Sequence, residues 1–81
     1  MDASVLDKLS EIENSKYLKV DNENSWESNK DTFIATSTFY FNDDTKEPCY
    51  RIEKHVRKSD NKLIWLDIED FKTGKRLTTG I

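Results

Sequence analysis

The sequence predicts an α+β domain, with an N-terminal helix packed on an antiparallel β-meander of three to five strands. An apolar stripe at helical spacing runs through residues 2–14. From Thr32 onward the chain becomes a series of aromatic and β-branched runs broken by short polar turns. Its 81 residues suffice for one compact domain and are too few for two, so 1–81 is read as a single unit.

In the helix, Val5, Leu9 and Ile12 recur at i, i+4 and i+7, with Leu6 beside them. Asp2 or Ser4 can cap its start, and Asn14-Ser15 supplies a stop. A helix this short is marginal alone and must dock its stripe on something. Tyr17 to Val20 is β-like and short, as an edge strand would be. Asp21 to Asp31 is polar and is expected to form a loop anchored by Trp26, long enough to be a candidate functional loop. Thr32–Phe41 is the strongest strand signal, and Asn42–Pro48 has turn chemistry. Cys49–Lys58, Leu63–Phe71 and Lys75–Thr79 follow as strands, separated by Ser59-Asp60-Asn61 and by a turn holding Thr73-Gly74. The element order resembles the helix-then-meander layout of cystatin-like folds, a likeness of layout that transfers no function.

Alternation then assigns the faces. Pairing Val56 with Ile64, Lys54 with Leu66 and Ile52 with Ile68 aligns the apolar residues of two strands. Pairing Phe41 with Tyr50 and Phe39 with Ile52 extends the register. The expected core face is Phe33, Ala35, Phe39, Phe41, Tyr50, Ile52, Val56, Ile64, Leu66 and Ile68 under the helix. The opposite face would carry Ile34, Thr36, Thr38 and Tyr40, then Cys49, Arg51, Glu53, His55 and Arg57, then Leu63, Trp65, Asp67, Glu69 and Phe71. One-sided antiparallel sheets are normally polar there. This face is rich in aromatic and Arg side chains, the types that dominate binding energy. Tyr40, Arg51, His55, Arg57 and Trp65 are therefore the candidate partner-binding residues. The blander account is that cross-strand Trp–His and Arg–Glu pairs stabilise the sheet by about 0.2–1 kcal/mol each, with no partner involved.

Charge narrows the function classes. There are 16 acids and 13 Lys and Arg, a net of −3, and 35% of residues are hydrophobic. A generally basic nucleic-acid binder is excluded, and no run approaches the length of a membrane span. Residues 1–50 hold 11 acids and 5 Lys, net −6, whereas 51–81 hold 5 acids and 8 Lys or Arg, net +3. Such polarity steers an oriented partner better than it attracts a polyanion. A buried ionised group would need a partner in so thin a core. Met1-Asp2 leads straight into an amphipathic segment without a signal-peptide pattern, and this predicts a cytoplasmic location.

Catalytic chemistry finds little support. One Cys and one His cannot make an ordinary zinc site or a disulfide framework. Cys49 and His55 share strand parity but lie roughly 20 Å apart on a regular strand, too far for a nucleophilic dyad. Glu53 and Asp67 fall opposite each other, and flanking Arg51 and Arg57 favour ordinary ion pairs over acid–base work. Asp43, Asp44 and Glu47 lack the ligand spacing and Gly of a calcium loop, as do Asp21, Glu23 and Glu27. Gly74-Lys75 lacks the rest of a phosphate loop. The expectation is a small non-enzymatic protein-binding module or inhibitor with no metal and no cofactor. Its partner would be another protein, met through the aromatic and Arg face or through the acidic N-terminal half. The same face could also pair with a second copy of the chain. The alternative is a single-stranded nucleic-acid binder, disfavoured because Glu53, Asp67 and Glu69 are interleaved with its cations. In composition the chain resembles small accessory proteins of phages and other mobile elements, without a motif to carry the likeness.

Overall fold

The computed structural model of residues 1–81 contains one helix, α1 (Ala3–Glu13), followed by β1 (Tyr17–Ser28), β2 (Asp31–Asn42), β3 (Pro48–Arg57), β4 (Lys62–Asp70) and β5 (Arg76–Gly80). The strands form one antiparallel sheet in the order β1-β2-β3-β4-β5, a plain meander. The predicted α+β class is the one observed. No helix is long and apolar enough to cross a membrane.

Asp2 caps α1, its Oδ1 accepting the Ser4 backbone N–H at 2.9 Å. The stripe of Val5, Leu9 and Ile12 is buried against Tyr40, Ile52, Leu66 and Ile68, with Leu6, Tyr17 and Tyr50 packed around them. The helix is tied down at both ends. The Asp2 backbone N–H donates to Thr79 Oγ1 at 2.9 Å, and Lys54 Nζ meets Glu13 Oε2 at 2.6 Å. An eleven-residue helix spans about 16 Å, whereas strands of twelve residues run about 40 Å, so α1 covers only part of one sheet face. The other face has no layer over it.

Two expectations are corrected. The polar segment 21–31 is not a loop. Tyr17–Ser28 is one continuous edge strand paired with β2 along its whole length, from Tyr17↔Asn42 to Ser28↔Asp31. A two-residue turn closes this hairpin, with Asn29 (φ 52°) and Lys30 (φ 66°) both left-handed, as a primed turn requires. Cross-strand partners supply what the low strand propensity of Asp, Asn and Glu withholds.

The second correction is a one-residue register error between β2 and β3. Tyr40 pairs with Tyr50, Thr38 with Ile52 and Ala35 with His55, and a bulge after Tyr40 sets Phe41 opposite Pro48. Since side chains alternate, that single step reverses β2 entirely. Tyr40 and Thr38 face the helix, Tyr40 at 5% exposure, whereas Phe33, Ala35, Phe39 and Phe41 lie on the uncovered face. Tyr40 is accordingly a core residue, held edge-on to Tyr17, and is withdrawn from the candidate binding face. Between β3 and β4 the expected pairs Ile52↔Ile68 and Lys54↔Leu66 are present, whereas a bulge sets Val56 opposite Leu63 instead of Ile64.

Candidate docking face

The pairing registers place four rows of side chains across the uncovered face. Trp26, Phe33, Arg57 and Lys62 form one end row. Asn24, Ala35, His55, Trp65 and Gly80 form the next, followed by Asn22, Ser37, Glu53, Asp67 and Thr78. Val20, Phe39, Arg51, Glu69 and Arg76 make the fourth, beyond which Leu18 lies opposite Phe41. Of the five predicted site residues, Arg51, His55, Arg57 and Trp65 thus share this face and Tyr40 does not.

Aromatic groups occupy both ends of the face. At one end Trp26 stacks on Phe33 with ring centroids 5.4 Å apart, and His55 stands edge-on to Trp26 at 5.1 Å with Trp65 beyond it at 6.3 Å. Trp65 is 38% exposed, while its neighbour Leu66 is fully buried, as alternation along β4 predicts. The Trp65 ring lies over Gly80. A Cβ at Gly80 would come within 2.9 Å of Trp65 Cε3, so the close approach requires glycine here. At the other end Phe39 stacks between Phe41 (6.5 Å) and Phe71 (6.3 Å), flanked by exposed Leu18 and Val20. Sequence reasoning missed Trp26, Phe33, Phe39, Phe41, Leu18 and Val20 as members of this face. The even-numbered spacing of Leu18, Val20 and Trp26 is the signal that could have found those in β1.

A closed charge network lies between the two aromatic ends. Asp67 is 1% exposed. Arg76 donates to its carboxylate from Nε at 2.9 Å and Nη2 at 2.7 Å, Arg51 from Nη2 at 3.0 Å, and Thr78 from Oγ1 at 2.8 Å. The Arg76 hydrogen bonds are the largest influence holding the Asp67 carboxyl below the usual range. Burial opposes them, and Thr78 and Arg51 reinforce them. Arg51 also reaches Glu69 (3.2 Å) and Glu53 (3.5 Å), and Glu53 reaches His55 Nε2 at 3.0 Å. Arg57 makes a two-pronged pair with Asp60 at 3.0 and 2.7 Å. Every guanidinium on the face is therefore already neutralised by a carboxylate of the same chain.

Cys49 and His55 stand at opposite ends of β3, the Cys49 thiol donating to the Glu47 carbonyl at 3.6 Å. Cys49 borders a recess of about 480 Å³ at the sheet end, together with Tyr17, Glu47, Asp70, Phe71 and Lys72. No group of three or more His, Cys, Asp or Glu side chains is placed to hold a metal ion. The arrangement can bury apolar and aromatic surface, and it offers no unpaired guanidinium to an anion. No protein-family model, curated protein or solved structure matches the chain.

Proposed function

We propose that this chain is a non-enzymatic protein-binding module that docks through its open sheet face. The observation that carries this reading is the chemistry of that face, where an apolar aromatic surface is left without a covering layer while its guanidiniums and carboxylates pair with one another. Contiguous apolar patches on small proteins mark contact sites. Trp and Arg held in place by neighbours, as Trp26, Trp65 and Arg51 are here, are the kind of side chain that anchors an interface. Single-stranded nucleic acid fits less well, because phosphate contacts need cations free to release counterions, and Arg51, Arg57 and Arg76 are each engaged.

The test is capture from the native host by the immobilised protein. Wild type should retain a partner that Trp65→Ala and Val20→Lys lose, while Glu11→Lys on the helix side keeps it. Loss with Glu11→Lys but not with the two face variants would move the site to the acidic N-terminal half. Binding of a labelled oligothymidylate that weakens steeply with salt would replace the protein reading with the nucleic-acid one.

A further inference from the structure

The monomer leaves more surface uncovered than its size warrants. A compact 9.5 kDa protein exposes about 5,050 Å² by the usual size scaling, whereas this chain exposes 5682 Å². Its buried core is seven apolar side chains, all contributed by α1 and the sheet face beneath it. The open face, with two Trp and four Phe, contributes none of them.

We infer that the occupant of this face is a second copy of the chain, the two sheets stacking face to face about a two-fold axis. The inference rests on the reading that a protein covers the face, and it names that protein. Area is the first support. Five strands about 4.8 Å apart, with some ten residues of about 3.3 Å each, present roughly 800 Å². That is about the area each partner buries in a standard-size interface.

Charge is the second support. Arg51, Arg57, Lys62 and Arg76 balance Glu53, Asp60, Asp67 and Glu69, so the face with its β3–β4 turn sums to zero and the net −3 of the chain lies elsewhere. Two such faces bring no net charge together, and the carboxylates of the Glu53 and Asp67 row arrive already paired with Arg51 and Arg76 of their own chain.

Self-complementarity is the third. A two-fold axis in the interface plane, perpendicular to the strands, carries each row onto its mirror row and keeps each strand over its own copy. The polar row of Glu53 and Asp67 then crosses itself. Trp26 comes over Leu18 of the second copy, Phe33 over Phe41 and Ala35 over Phe39. Apolar groups meet apolar groups toward both ends of the β1–β2 half, with Asn22, Asn24 and Ser37 between them, at the spacing of about 10 Å typical of stacked sheets.

Sedimentation equilibrium from micromolar to millimolar protein tests this. Wild type should reach twice 9.5 kDa. Phe39→Lys, which buries an ammonium without a partner, should weaken the dimer by about a hundredfold or more. Val20→Lys guards against misfolding as the explanation. Val20 is 60% exposed, so the variant should keep the wild-type circular dichroism while also shifting toward monomer. A wild type that stays monomeric throughout overturns the inference. If that monomer still captures a different protein in a Trp65-dependent way, the docking-face reading survives without it. A dimer indifferent to both Lys variants overturns self-pairing through this face, and if Trp65→Ala also leaves capture intact, the docking-face reading falls as well.

Discussion

Asp67 is the side chain on which the open face depends most. It is a buried carboxylate in a small domain, tolerated because two guanidiniums and a hydroxyl surround it. Its folded-state pKa is depressed, so its ionisation stabilises the fold above the unfolded value of about 3.9, and that contribution is lost as pH falls through the folded value. Asp67→Asn should therefore cost about 3 kcal/mol at neutral pH, where Arg51 and Arg76 lose their common partner. The gap to wild type should close in strong acid, where wild-type Asp67 is itself protonated. Urea titrations at the two pH values check this, and an equal loss at both would mean that charge is not what Asp67 contributes. Gly80 is the other constrained position. Gly80→Ala should displace the Trp65 ring and destabilise by roughly 1–2 kcal/mol, with a shift in tryptophan emission that a change remote from Trp65 would not produce.

At the scale of elements, α1 was the most legible part. Its stripe, its Asp2 cap and its stop near Asn14 are all local signals, and Val5, Leu9 and Ile12 bury as their spacing implies. Ile12→Ala should cost about 3 kcal/mol in chemical denaturation, because the site is sealed on both sides. Strand β1 was the least legible. Asn22, Glu23 and Asn24 read as loop residues because strand propensity is weak, whereas their conformation is set by twelve consecutive partners on β2. The Asn29-Lys30 turn hid for a related reason. Lys gives no turn signal, yet it adopts φ 66° here because the hairpin demands it. Lys30→Gly removes that strain and should stabilise the hairpin by about 0.5–1 kcal/mol, measured as a higher denaturant midpoint.

For the molecule as a whole, a face-to-face pair predicts that the apparent Tm rises with protein concentration, as linkage requires when only the folded state associates. A Tm independent of concentration would speak for a self-sufficient monomer. Fold class, the helix and the alternation of β3 and β4 were determined by the sequence alone, since each depends on the spacing of apolar residues within one segment. The membership of Arg51, His55, Arg57 and Trp65 in one face followed from the same local periodicity. Only the tertiary structure decided which side of β2 is inward. Both parities of Thr32–Phe41 offer apolar side chains, Phe33, Phe39 and Phe41 on one and Ile34 and Tyr40 on the other, so alternation cannot choose between them. The choice is made by the turns and bulges at the strand ends, where a shift of one residue exchanges the two faces. That is why Tyr40 lies under the helix and three phenylalanines lie on the open side.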